Sequence, residues 1–225
     1  MVTDNEKAYI TSNNVNISLD FHIKWAKLFS YRQLWGLLSA KILVDSAWYF
    51  IIFWLPKYLA DARGLNIKEI GSYAWIPYAC AGAGSLIGGW LSNYLIKRNV
   101  SIDISRKVTL GIAAAMMPVS LFIANAPIAM AIVLFSIAMF GHQFFSTIIQ
   151  TTCTDLFPNK VVGAVSGLAG SFGSFGAMFF SLLAGQVISS VGYTPVFIMV
   201  GLMHPTAFII LLILVRKFEQ VKQFS

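Results

Sequence analysis

Six apolar runs restrict the fold of this chain most strongly, because each is long enough to cross a lipid bilayer as a helix. They occupy approximately residues 33–55, 71–95, 107–125, 128–150, 161–189 and 194–215. A helix needs about 20 predominantly apolar residues to cross the hydrocarbon core. Charged residues make up only 11% of the chain, against about 25% in an average soluble domain. We therefore expect an all-α membrane protein with six transmembrane helices.

The polar segments divide the chain into an amino-terminal arm (residues 1–32), a helical bundle (33–215) and a short tail (216–225). Basic residues in short loops favour the cytoplasmic side. If the amino terminus is cytoplasmic, twelve Lys and Arg residues lie inside and three outside. The inside residues are Lys7, Lys24, Lys27, Arg32, Lys97, Arg98, Arg106, Lys107, Lys160, Arg216, Lys217 and Lys222; the outside residues are Lys57, Arg63 and Lys68. The sequence thus predicts a multi-pass protein of the cell (inner) membrane with both termini in the cytoplasm.

The chain carries a net charge of +7, but its basic residues are scattered among short loops. This pattern favours anionic lipid headgroups over nucleic acid as a partner. Cys80 and Cys153 lie in or beside apolar runs, and no spacing of ligands predicts a metal or cofactor site. The segment AGSFG (169–173) lacks the first glycine of a nucleophile motif, and neither His22 nor His204 is placed to serve a serine. We expect no enzymatic activity and no catalytic residues.

Two runs are rich in small residues that predict close packing between helices. One contains Gly84-x-x-x-Gly88, and the other contains Gly163-x-x-x-Gly167 with further glycines at 170, 173 and 176. Glycine on a helix face lets two backbones approach closely within a membrane. These faces are expected to hold the bundle together, and such a face can also slide against its partner helix.

The first run contains two ionisable residues near its middle. On a helix, Lys41, Asp45, Trp48 and Tyr49 share one face. A charge at this depth costs at least ~2.5–3.5 kcal/mol. The pair has two interpretations: it neutralises itself so that the segment inserts, or it lines a polar pathway in which Lys41 attracts an anion and Asp45 orients it.

The fourth run ends in the least apolar stretch of the bundle. His142, Gln143, Ser146 and Gln150 recur at intervals that allow them to face one cavity. Histidine titrates near neutral pH. His142 is therefore either a titrating site residue or a hydrogen-bonded packing element.

Four segments resemble one family of transporters. "AKILVDSAWYFIIFWLPKYL" (40–59) resembles the seventh transmembrane helix of sugar-acid transporters of the major facilitator superfamily. "GSLIGGWLS", "GHQ…DLFP" and "VSGLAGSFGSFG" resemble the eighth, tenth and eleventh helices, and "NEKAYI" (5–10) resembles the central cytoplasmic loop. The similarity is strongest to the hexuronate-transporter branch of the anion:cation symporter family.

The resemblance implies half of a twelve-helix fold, whose substrate lies between two six-helix halves. It implies proton-coupled uptake of hexuronate or aldonate anions, with the principal arginine and the acidic proton-carrying residues in the other half. We therefore expect a split or truncated product that lacks an amino-terminal half. The expected substrate-facing residues are Lys41, Asp45, Trp48, Tyr49, His142, Gln143, Ser146, Gln150, Ser171 and Ser174.

Three positions depart from the family pattern. This chain has Ser46 where the family has proline, Phe145 where it has tryptophan and Ile148 where it has asparagine. An indole and an amide both hydrogen-bond to polyols, so their replacement leaves two alternatives: transport of a sugar acid other than hexuronate, or no transport by the product of a decayed coding sequence. A second interpretation is a stand-alone six-helix protein that pairs with itself as a channel or structural element. A stable homodimer in detergent would favour that interpretation.

Overall fold

The long helices of the computed structural model coincide with the six apolar runs. The structure describes Thr3 and residues 25–221. Its helices are α1 (Trp25–Phe29), α2 (Arg32–Asp61), α3 (Ile67–Lys97), α4 (Ile102–Met116) with a 3₁₀ continuation (Met117–Asn125), α5 (Ile128–Leu156), α6 (Asn159–Val191) and α7 (Thr194–Leu214). Every regular element in this part of the chain is helical, which confirms the all-α class. The arm motif at 5–10, His22 and Lys222 lie outside the described residues.

Five of these helices are both long and apolar enough to cross a membrane. They are α2, α4 with its 3₁₀ continuation, α5, α6 and α7. Helix α3 is 31 residues long, but its glycines, serines and tyrosines make it less apolar, and it is not among the five. Its membrane crossing, which would complete six spans, remains a prediction.

Two helices differ in detail from the expected runs. Helix α2 continues past Pro56 to Asp61, where Lys57 and Asp61 form an exposed i,i+4 ion pair of 2.6 Å on its last turn. Helix α4 changes to 3₁₀ geometry at Met117, and Pro118 follows at once. Proline has no N–H to donate to the α-helical ladder, which explains the change at this point.

Glycines set two of the helix contacts. At Gly84 and Gly88 of α3, an added Cβ would overlap the Phe140 backbone and the Phe144 ring of α5. This confirms the close packing expected from Gly84-x-x-x-Gly88. The same expectation is wrong for Gly163-x-x-x-Gly167, since no atom of the described chain lies within 4 Å of an added Cβ at either glycine. The glycines of α6 that approach another helix closely lie further along, at Gly173 and Gly176.

The buried apolar side chains form two clusters, one toward each end of the bundle. The cluster nearer the arm includes Leu34, Val161 and Leu211, and the other includes Phe50 and Phe197. Several polar side chains lie at the boundary between the clusters, on α2, α5 and α7. The buried ones are Lys41, Ser46, His142 and His204. The bundle therefore contains a polar layer at mid-depth.

Candidate functional site

An ion pair on α2 forms the centre of the polar layer. The Nζ of Lys41 donates to Oδ1 of Asp45 at 2.8 Å, and the two side chains are only 10% and 14% exposed. The i,i+4 pairing expected from the sequence is therefore present. The pair lies within the bundle, because the Asp45 carboxylate contacts Gly173 of α6.

The glycines of α6 make room for this pair. An added Cβ at Gly173 would overlap the Asp45 carboxylate, and one at Gly176 would overlap Ile42, including its backbone. Any larger residue at Gly173 must displace the carboxylate or separate the two helices. The glycine-rich helix thus holds a charged group against its backbone instead of packing uniformly along its length.

An aromatic and histidine cluster continues this layer. The ring of Trp48 stacks on His142, with centroids 4.5 Å apart and planes 6° from parallel. The Nδ1 of His142 lies 3.0 Å from Nε2 of His204 on α7. Both histidines are fully buried, with 1% and 0% exposure. Lys41 is close enough to His142 to act on it electrostatically.

His204 is the residue of this layer that sequence reasoning missed. It lies in the middle of α7, the most apolar of the five spans, which has a mean hydropathy of 2.4. A histidine in so apolar a helix needs a hydrogen-bond partner inside the bundle. This requirement could have identified His204 as a member of a polar cluster from the sequence. Its Nδ1 is buried and has no hydrogen-bond partner in the part of the chain that the structure describes.

The remaining predicted residues lie outside this layer. Gln143 and Ser146 are half-buried on α5, whereas Gln150 is exposed. Tyr49 is 37% exposed and stacks on Phe53 at 6.0 Å. The structure brings Lys41, Asp45, Trp48 and His142 together, and it leaves Tyr49, Gln150, Ser171 and Ser174 exposed.

The two serines of α6 lie on its open face. Ser171 and Ser174 are exposed, and the Oγ of Ser171 donates to the carbonyl oxygen of Gly167 at 2.9 Å. Helical spacing puts Ser174 on the same face as Gly163, Gly167 and Gly170, where an added Cβ would contact nothing. This face therefore has no partner helix in the described chain.

A second polar cluster closes the end of the bundle opposite the arm. The guanidinium of Arg63 donates to the Tyr58 hydroxyl at 2.6 and 2.8 Å and to the carbonyl oxygens of Ile123, Ala124 and Ala126 at 2.7–3.1 Å. The Tyr58 hydroxyl in turn donates to the Ile123 carbonyl at 3.0 Å. Arg63 thus caps the end of the 3₁₀ helix and ties it to α2.

Tyr193, in the turn before α7, belongs to the same end. Its hydroxyl donates to Oδ2 of Asp61 at 3.5 Å. Burial and, second, the negative charge of Asp61 raise the pKa of Tyr193 to about 12. The phenol therefore stays protonated, and remains a donor to Asp61, at neutral pH.

A third cluster lies at the arm end. Arg106 of α4 donates to Asp155 of α5 at 2.7 Å and to Ser92 of α3 at 2.6 Å. Within the described residues no group of three His, Cys, Asp or Glu side chains is arranged to hold a metal ion. The two end clusters join helices, whereas the mid-depth layer contains a buried ion pair and a buried nitrogen that has no hydrogen-bond partner in the described part of the chain.

Long apolar helices around a buried polar layer define a multi-pass membrane protein. The sequence pattern of the Major Facilitator Superfamily matches residues 6–177 and, in an overlapping second match, residues 100–224. The chain therefore belongs to the Major Facilitator Superfamily.

Several individual relatives are named as sugar-acid transporters. A hexuronate transporter of Escherichia coli (strain K12) is 30% identical over 203 residues, which cover 87% of this chain and 46% of that protein. A probable galactarate/D-glucarate transporter of Bacillus subtilis (strain 168) is 29% identical over 233 residues, covering 98% and 51%. A D-galactonate transporter of Escherichia coli O6:H1 is 25% identical over 177 residues, covering 78% and 41%. This chain spans about half the length of these relatives.

Proposed function

We propose that the chain forms the carboxyl-terminal half of a secondary active transporter for sugar-acid anions such as hexuronates or aldonates. In this proposal the anion enters together with a proton by alternating access. The chain lies in the cell (inner) membrane with both termini in the cytoplasm. The observation that carries the proposal is the buried Lys41–Asp45 pair at mid-depth, where transporters of this kind bind substrate.

The chemistry of the layer suits a sugar acid. The Lys41 ammonium has one hydrogen-bond partner among the described residues, Asp45, so it has further donors for a substrate carboxylate. Asp45 accepts from sugar hydroxyls, and the Trp48 ring offers a flat apolar surface beside them. Gln143 and Ser146 lie on the same helix as His142 and add neutral hydrogen-bonding groups. The relatives named as sugar-acid transporters support the same substrate class.

The exposed face of α6 supports a second, amino-terminal half as partner. Only 17% of the most apolar stretch of α6 is buried, against 56% for α2 and for α5. Ser171, Ser174 and the glycines of this face would then meet the other half, and Tyr49 and Gln150 would border the space between the halves. The chain's length relative to its relatives agrees with this arrangement.

Co-expression tests the proposal directly. We expect this chain, together with the first six helices of a sugar-acid transporter relative, to take up labelled glucuronate, galacturonate or galactonate. A protonophore should abolish accumulation, and either half alone should be inactive. The absence of uptake of all three substrates, with both halves inserted in the membrane, would refute the proposal. A stable homodimer that conducts ions without the other half would instead favour the channel alternative.

A further inference from the structure

A polar cavity, the arm-end cavity, opens between the first turn of α2 and the segment that follows α7. Its volume is about 520 Å³, within the range of about 300–1,000 Å³ that is usual for ligand pockets. Charged and amide side chains line it: Arg32, Gln33, Arg216, Lys217, Glu219 and Gln220. Three cations face one carboxylate, and this excess of positive charge favours an anionic ligand.

The cations of the arm-end cavity have no counter-ion among the described residues. Arg32, Arg216 and Lys217 form none of the ion pairs found in that part of the chain. At the same end of the bundle, Arg106 and Lys107 each have a carboxylate partner at 2.7 Å. The cavity therefore collects positive charge that the fold uses for no contact of its own.

The wall that follows α7 is held in place by the bundle. Phe218 is 2% exposed and belongs to the same apolar cluster as Leu28. Its backbone N–H donates to Oδ1 of Asp103 at 2.9 Å. The N–H of Val221 donates to the carbonyl oxygen of Leu156, also at 2.9 Å. These contacts fix the backbone on both sides of the charged residues, so the cavity is a built part of the fold.

Arg216 has a backbone conformation that glycine adopts more easily. Its φ is 59°, and it directly follows Val215, the carboxyl-terminal cap of α7. Helices commonly end in glycine at this position. Backbone strain in a residue other than glycine clusters at ligand-binding positions, and here the strained residue is one of the cations of the cavity.

Exposed tryptophans beside the cavity indicate its depth in the membrane. Trp25 and Trp35 are 50% and 44% exposed, and Trp35 lies one turn after Arg32 on α2. Tryptophan is enriched at the boundary between the headgroups and the hydrocarbon core. The arm-end cavity therefore lies at the level of phospholipid headgroups.

We propose that the arm-end cavity binds the headgroup of an anionic phospholipid such as phosphatidylglycerol. Basic pockets between membrane helices bind anionic headgroups. Arg32 and Arg216 donate charge-assisted hydrogen bonds to the phosphate, and the Glu219 carboxylate accepts from the headgroup hydroxyls. The bound lipid joins the start of α2 to the end of α7. This site is separate from the polar layer at mid-depth, and it does not depend on the proposed transport.

Lipid titration of the whole chain in an uncharged detergent tests the site. Native mass spectrometry counts bound lipids, and thermal unfolding measures the stabilisation that a ligand of the folded state provides. We expect one phosphatidylglycerol to bind with high affinity and phosphatidylethanolamine to bind more weakly. Glycerol 3-phosphate, which has the phosphate but no acyl chains, should bind more weakly still.

The comparison of these three ligands can overturn the proposal in two ways. Equal or tighter binding of phosphatidylethanolamine would show that the cavity does not select an anionic headgroup. Binding of glycerol 3-phosphate as tight as that of phosphatidylglycerol would assign the cavity to a soluble phosphate compound.

Charge removal locates the bound lipid. Each basic residue near an anionic lipid contributes about a fivefold change in binding, so Arg32→Gln with Arg216→Gly should weaken phosphatidylglycerol binding about 25-fold. Arg216→Gly alone relieves the backbone strain, and it should be as stable as wild type and bind about fivefold more weakly. Unchanged binding by this single variant would overturn the inference.

Two exposed cations at the same end of the bundle provide the matched control. Lys97 and Arg98 do not line the arm-end cavity, and Lys97→Gln with Arg98→Gln removes the same amount of charge. This variant should bind phosphatidylglycerol as tightly as wild type. An equal loss of binding in both double variants would show that the charge of this surface acts diffusely, and the specific site would be refuted.

Discussion

Two cations at different points of the α2 region show how a structural polar cluster differs from the proposed binding site. Arg63, just after α2, donates to the Tyr58 hydroxyl and to three backbone carbonyls. Lys41, at the middle of α2, has Asp45 as its hydrogen-bond partner in the described chain. Yet Lys41 is the more buried of the two. The Arg63 guanidinium already donates to four oxygen atoms of the protein. The buried Lys41 ammonium has one partner among the described residues and keeps further N–H donors for a ligand.

The neighbours of the two cations differ in the same way. Arg63 binds three carbonyls at the end of a 3₁₀ helix, where the helix itself supplies few donors. The Lys41–Asp45 pair lies against a glycine of α6. Lys41 also acts on His142, whose neighbour His204 has a ring nitrogen without a hydrogen-bond partner among the described residues. Burial of a charge is therefore a weak guide to function by itself. The number of unsatisfied groups around the charge is the better guide.

Removal of both charges at Lys41 and Asp45 should have the largest effect on activity. The double change Lys41→Met with Asp45→Leu leaves no unpaired charge, so the chain should insert and fold. Uptake with the partner half should fall by about 100-fold, because the substrate loses a charged donor and a charged acceptor, and hydrogen bonds to charged groups contribute about 1.5–3 kcal/mol each.

The exposed pair Lys57–Asp61 on the same helix provides the control. Its side chains are 55% and 47% exposed, and Lys57→Met with Asp61→Leu should leave uptake close to wild type. Undiminished uptake by the Lys41/Asp45 double variant would mean that the pair serves insertion alone.

Replacement of Arg63 should lower stability and leave activity nearly unchanged, the opposite of the Lys41/Asp45 double change. Arg63→Met should destabilise the chain by about 2–3 kcal/mol, because several carbonyls and Tyr58 lose a charged donor. Thermal unfolding in detergent measures this loss, and uptake per folded molecule should change little. Arg98→Met is the matched control, since Arg98 is exposed and lies over the Tyr94 ring. A variant that is as stable as wild type but inactive would contradict the structural role of Arg63.

Close packing without charge should have an intermediate effect on stability. Gly84→Ala places a methyl group against the Phe140 backbone of α5 and should destabilise by about 1–3 kcal/mol through overpacking. Gly82→Ala, where an added Cβ contacts nothing in the described chain, should be close to neutral. Equal stability of the two variants would show that α3 and α5 are further apart than the structure has them.

The smallest effect should come from a glycine beside the ion pair. Gly173→Ala pushes on the Asp45 carboxylate, which can rotate, so we expect uptake to fall by about tenfold, or ~1.4 kcal/mol, with stability nearly unchanged. Gly82→Ala, where an added Cβ contacts nothing in the described chain, is the control and should leave uptake unchanged. Gly170→Ala, on the open face of α6, should lower uptake in the assembled transporter if the other half covers this face. If Gly173→Ala instead lowered the stability of the chain and left uptake normal, the substrate site would not lie beside Asp45.

Sequence reasoning predicted the local part of the site and missed the part made between distant helices. Lys41 and Asp45 are four residues apart, and any α-helix brings their side chains together. His142 and His204 are 62 positions apart, and nothing in either helix alone brings them together. Gln150, Ser171 and Ser174 were expected to face a cavity, but the polarity of a residue does not reveal whether its face meets another helix or remains open.

The sequence by itself determined that this chain forms long membrane-crossing helices and that one of them carries an internal ion pair. Both follow from interactions within a few residues: apolar length against bilayer thickness, and the repeat of the α-helix. Only the tertiary structure decided that Gly173 and Gly176, and not Gly163 and Gly167, contact α2, and that His204 completes the polar layer. These outcomes depend on how far each helix is rotated about its axis and which neighbour it meets. That rotation is set by the packing of the whole bundle, and no short stretch of sequence contributes enough contacts to determine it.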